Sequence, residues 1–259
     1  PGSQLGMLLG HSLLLSLATA GLSTLVGDPL GVLLGKSDLP MRGTLTLVFA
    51  APLLIPSYIL AVAWLSIAGR IGLVSRHLPD AWSQAISAQF FGLAGCVLVL
   101  TSVLMPVAML LTMAFLRFVN PHLENAGRLV AGWPSVLYRI TLPLIFPAIA
   151  FAAILTFLLS LGEVGVPMYL RYPVYPVETL IQFAAFYDFR AATTAATPLL
   201  LITLVILALQ TRLQRRVLDL GRRAPKGEEI TIPLDRWRLP LLVLVLALAF
   251  SERLKARDA

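Results

Sequence analysis

Apolar residues in this chain run in long unbroken blocks separated by short basic connections, so the blocks set the expected architecture. The first extends from about Leu5 to Gly35, the second from Leu45 to Gly69, the third from Phe90 to Leu116, the fourth from Leu142 to Leu161 and the fifth from Ala195 to Leu209. A helix rises about 1.5 Å per residue, so crossing a hydrocarbon core of about 30 Å takes roughly 20 apolar residues. The five blocks are read as five spanning helices. A sixth, Leu239 to Phe250, is too short for a span and is expected to be either a helix that is cut short or an interfacial segment. Pro29, Pro52, Pro56, Pro106 and Pro147 lie inside the blocks. Neighbouring helices and local kinks re-satisfy the carbonyls that a proline frees in a membrane bundle, so the prolines do not undo the assignment. They are either packing devices or hinges.

Charge gives the orientation. The first, third and fifth connections hold thirteen Lys and Arg residues, among them Lys36, Arg42, Arg117, Arg128, Arg139 and the run from Arg212 to Arg238, whereas the second and fourth hold four, Arg70, Arg76, Arg171 and Arg190. The positive-inside rule puts the odd connections in the cytoplasm. The chain then starts outside the cell, and with no signal peptide over Pro1 to Gly6 this leads to the expectation of a preceding helix. The expected organisation is a five-helix core over 1–212, a basic cytoplasmic linker over 213–238 and a short sixth apolar segment with a polar tail over 239–259.

Composition agrees with this reading. Apolar residues make up 58% and charged residues 13% of the chain, with a mean hydropathy of +0.86, against roughly half and a quarter in soluble domains. The net charge of +7 lies between apolar blocks instead of on one amphipathic face, so nucleic acid is not an expected partner. Cys96 sits inside a block and is read as a small core residue, and the scattered His11, His77 and His122 do not form a metal-ligand pattern.

The third connection, Asn120 to Pro143, carries the most information. Asn120 suits an N-cap with Pro121 at the first helical position, Glu124 lies near the positive helix end, and Gly132 is available as a terminator. A short helix is expected from about Pro121 to Ala131. Pro134 can open a second, with Val136, Leu137 and Ile140 on one side, which leads through Pro143 into the fourth span. The expectation is a rigid helix-turn-helix elbow, exposed at Glu124.

This segment resembles the cytoplasmic "EAA" loop of binding-protein-dependent ABC importer permeases, which reads Glu-Ala-Ala, three residues, Gly, nine residues, Ile-x-Leu-Pro. Glu124, Ala126, Ile140, Leu142 and Pro143 match in register, Asn125 replaces the first Ala, Val130 stands at the Gly position, and Gly132 comes two residues late. The resemblance implies an all-α integral membrane fold of five transmembrane helices with a coupling-helix elbow between the third and fourth. It implies that Glu124, Ala126, Gly127, Gly132, Ile140, Leu142 and Pro143 form the coupling contact to a cytoplasmic ATPase. ATP and Mg would be bound by that partner, since the chain has no Walker phosphate loop and is not itself expected to be an enzyme. An extracytoplasmic solute-binding protein, a second permease unit and a location in the bacterial inner membrane are implied as well. Segments 31–40, 51–58 and 159–167 resemble the ferric-iron type permeases, which often fuse two units. The solute is left open among ferric iron, a polyamine, thiamine, phosphonate and another small anion.

Two carboxylates stand out along the spans. Glu163, beside Ser160 and Gly162, is read either as part of the outer mouth of a translocation path or as an interfacial group that caps or pairs with Arg171 or Arg190. Asp28 is read either as marking the inner interface or as a buried partner for a basic group. A secondary transporter would show several ionisable groups at mid-bilayer, and a multi-pass enzyme would show clustered polar groups at one face; neither pattern is visible.

Overall fold

A computed structural model of the chain describes residues 2–69, 72, 87–184, 189–223, 232 and 239–247. Arg70, Arg76, Lys226, Arg236, Arg238 and the tail 251–259 lie outside the described residues. The regular elements are helices: α1 (Gly2–Lys36), α2 (Arg42–Ala50), α3 (Ser57–Ala68), α4 (Leu93–Leu116), α5 (Pro121–Arg128), α6 (Trp133–Leu161), α7 (Gly165–Tyr169), α8 (Tyr175–Ala184), α9 (Phe189–Arg223) and α10 over 239–247.

Three described helices, α1, α4 and α6, are long and apolar enough to cross a bilayer. A fourth span is supplied if α2 and α3 count as one broken helix, and the apolar stretch Ala196–Thr211 within α9 is shorter than these. α2 passes through a 3-10 turn, Ala51–Leu54, into α3 at an angle of 101°. The cause is local. Pro52 and Pro56 each lack an N–H, and Ile55, which precedes a proline, is driven out of the helical region to φ −102° and ψ 127°. Pro29, Pro106 and Pro147 instead sit inside continuous helices, where packed neighbours hold the helix together.

α1 packs most extensively on α4 and then on α6. Three glycines one turn apart make the first contact close: a Cβ at Gly27 would lie 2.6 Å from the Met105 carbonyl oxygen, one at Gly31 2.6 Å from that of Met109, and one at Gly35 3.2 Å from Leu116 Cδ1. Lipid tails are as apolar as the side chains they contact, so helices in a bilayer associate through such close packing and through interhelical hydrogen bonds. One of these hydrogen bonds crosses the seam, from Thr112 Oγ1 to Asp28 Oδ1 at 2.8 Å. Asp28 is 8% exposed within this seam and, among the described residues, it meets a hydroxyl on α4 and not a basic group, so the reading of it as a buried partner of a basic group does not describe this geometry.

The core falls into three apolar clusters. Leu15, Leu60, Cys96, Leu100, Val166 and Leu170 fill one end, and Leu30, Leu34, Leu45, Phe49, Met109 and Val245 fill the other. Val32, Leu116, Val119 and Ile145 join α1, α4 and α6 beside the elbow. Val245 brings α10 against the same end of α1 as the elbow, and Ile232 forms a parallel bridge with Ser37 there. α9 continues through residue 212 without a break, so the expected boundary between core and linker falls inside a helix; Arg and Leu are good helix formers and carry it on.

Candidate functional site: the elbow and the opposite end

The elbow forms largely as its sequence dictates. Asn120 caps α5, its Oδ1 accepting a hydrogen bond from the His122 amide at 2.9 Å, and Pro121 occupies the first turn. α5 ends at Arg128, earlier than Ala131, and a tight turn over 129–132 leads to α6, where Pro134 again lies in the first turn. Leu137–Thr141 forms a π-helical turn inside α6. Pro143 has no N–H to give to the carbonyl of residue 139, which explains why the regular ladder widens just before it.

Glycine is used where the two arms of the elbow meet. A Cβ on Gly127 would lie 2.6 Å from Ile140 Cδ1 and 3.2 Å from Val136 Cγ2, so Gly127 lets α5 rest on the first turns of α6. Val130 needs no glycine. The described non-glycine residues with positive φ are Met41 and Arg171, so the turn at Val130 has a backbone conformation open to any residue. The Arg128 guanidinium stacks over the Trp133 ring at 4.6 Å and closes the turn.

Glu124 differs from the sequence expectation. It is 1% exposed, not a surface contact. Its Oε1 forms an ion pair with Lys36 Nζ at the end of α1 and accepts a hydrogen bond from Thr141 Oγ1 at 2.7 Å. The physical reason lies in Lys36, itself 7% exposed, since burying a charged side chain is costly unless an opposite charge pairs with it. The outward surface of the elbow carries exposed apolar residues instead, Leu129 at 89%, Val130 at 90% and Tyr138 at 72% exposure, beside the exposed Arg128 and Arg139. Asn125, Ala126 and Gly132 are exposed beside them, and Ile140 lies partly buried against Gly127.

At the opposite end Glu163 Oε1 accepts from Ser57 Oγ at 2.7 Å, the Gly165 amide at 3.0 Å and the Val166 amide at 3.4 Å. The carboxylate caps α7 and fastens it to the first residue of α3. These are the bonds of a cap, made to neutral donors and not to Arg171 or Arg190. Ser160 is 2% exposed and its hydroxyl has no hydrogen-bond partner among the described residues, as is also true of the Thr19 and Ser23 hydroxyls on α1, while Gly162 is exposed. The anchoring of α1 at this end was not foreseen: Ser12 Oγ accepts from the Tyr175 amide at 2.8 Å, and His11 stacks on Tyr172 at 5.3 Å. Isolated hydroxyl and imidazole side chains in an apolar block carry no signal of such partners.

No protein-family model matches the chain. The chain is 30% identical over 223 residues to the molybdenum transport system permease protein ModB of Mycobacterium tuberculosis, covering 84% of this chain and 81% of that protein. It is 27% identical over 199 residues to the molybdate/tungstate transport system permease protein WtpB of Thermococcus kodakarensis, covering 76% and 73%. Among solved structures, a chain of the inward-facing MetNI methionine ABC transporter superposes with a TM-score of 0.62 at 19% identity, covering 82% of this chain and 95% of that one. The EAA-type elbow, the apolar helices able to span a membrane and the 30% identity over most of a permease agree: this chain belongs to the inner-membrane permeases of binding-protein-dependent ABC importers, a family of transport subunits and not of enzymes.

Proposed function

We propose that the chain is the membrane-spanning subunit of an importer for a tetrahedral oxyanion of the molybdate and tungstate class. It works with cytoplasmic ATPases, an extracytoplasmic binding protein and a second permease unit. The observation that carries this reading is the 30% identity over 81% of a molybdenum permease. The resemblance to ferric-iron permeases is weaker than the one to the molybdenum permeases.

ATPase docking is supported by the elbow surface. Leu129, Val130 and Tyr138 form an exposed apolar knob on an element that is meant to stand in water, and such a patch marks a surface for a partner. The contact to the ATPase is then made by this knob, and Glu124 acts behind it. The test is uptake into proteoliposomes holding the permease, its ATPase and its binding protein. Vanadate-sensitive accumulation of labelled molybdate, displaced by tungstate but not by ferric citrate or thiamine, is expected. ATP-driven uptake of iron or thiamine with none of molybdate would overturn the oxyanion reading.

A further inference from the structure

One carboxylate oxygen joins three elements, one of which lies 88 residues away in the chain. Glu124 Oε1 on α5 holds Lys36 Nζ at the end of α1 and Thr141 Oγ1 at the start of the membrane-embedded part of α6. Each partner is fixed in turn. α1 is locked to α4 through Gly27, Gly31 and the Asp28–Thr112 hydrogen bond. The Lys36 end of α1 is braced by Ile232, whose amide donates to the Lys36 carbonyl at 2.7 Å and whose carbonyl accepts from the Asp38 amide at 3.3 Å.

We propose that the Lys36–Glu124 pair is the positioning element through which movement of the elbow reaches α1 and, with it, α4. The inference rests on the permease reading and extends it, because an EAA-type elbow by itself is joined covalently only to α4 and α6. α5 is a helix of eight residues flanked by turns, and it would pivot about its ends if only its backbone held it. The buried pair removes that freedom: any shift of α5 drags a lysine that cannot leave its carboxylate without stranding two charges away from water. Thr141 ties the same oxygen to α6, so α1, α4 and α6 receive one displacement together. Lys36 and Glu124 touch no solute and act by position.

The test uses the assembled complex in proteoliposomes and hydrogen exchange, which needs no knowledge of the solute. In the wild type, ATP with Mg and vanadate is expected to change amide exchange both in the elbow, 121–132, and in the loop after α1, 37–41. In Lys36→Met and in the milder Glu124→Gln, the elbow response should persist while the 37–41 response is lost, and the swap Lys36→Glu with Glu124→Lys should restore it. An unchanged 37–41 response in either single variant would overturn the proposal. So would failure of both single variants to accumulate with no recovery in the swap, which would make the pair an element of stability alone. Absence of any elbow response in the wild type would sink the coupling reading itself, and this proposal with it.

Discussion

Glu124 at the elbow and Glu163 at the opposite end of the bundle are both held through a single oxygen, yet they are held by different chemistry. Glu124 meets a cation and a hydroxyl in a fully buried site, with the cation 88 residues away in the chain. Glu163 is half-buried and meets neutral donors only, two of them amides within three residues of it. The first arrangement binds distant helices into one body, and the second finishes a short helix. Helix packing shows the same contrast. Gly27, Gly31 and Gly35 seal α1 to α4 towards the elbow, while Gly6, Gly10 and Gly21 further out have nothing within contact distance of an added Cβ. The elbow end of α1 is tied by close helix packing and a buried ion pair, and its far end by Leu15 in the apolar cluster together with scattered polar contacts.

The strongest way to break this comparison is Glu124→Lys, which sets two ammonium groups against each other in a buried site. A loss of about 3–5 kcal/mol is expected, the range for stranding one partner of a buried pair. Membrane abundance should collapse, by immunoblot, whereas Val130→Asp on the exposed knob should keep normal abundance and lose co-purification of the ATPase. Normal abundance of Glu124→Lys would show that the carboxylate faces water in the assembled protein.

A smaller effect is expected from one chemical change made at two places. Gly31→Ala forces a methyl against the Met109 carbonyl, with Thr112 Cβ at 2.9 Å, and should cost about 1–3 kcal/mol as overpacking. Gly10→Ala meets open space and should be neutral or stabilising by up to about 1 kcal/mol through helix propensity. Thermal unfolding of the detergent-solubilised protein reads both, and equal shifts would refute the sealed seam.

The smallest effect is expected at Glu163→Gln. The amide oxygen still accepts from Ser57 and the α7 amides, so the loss should stay within about 1 kcal/mol, the net value of an ordinary hydrogen bond. Uptake by the reconstituted importer should remain close to wild type. A severe transport defect with an unchanged melting temperature would return Glu163 to the translocation path.

The sequence by itself determined the helical membrane character and most of the elbow. Asn120 acts through a side chain that reaches an amide two residues on, Pro121, Pro134 and Pro143 act through their own backbones, and apolar block length acts through the thickness of the bilayer, so these features need no knowledge of distant partners. Only the tertiary structure decided where Glu124, Asp28 and Glu163 point, because a charged side chain is buried or exposed according to partners that the fold brings from far along the chain. The same holds for the glycines. Gly27 and Gly10 are identical in sequence terms, and the approach of α4 to one and not the other is a property of helix packing alone.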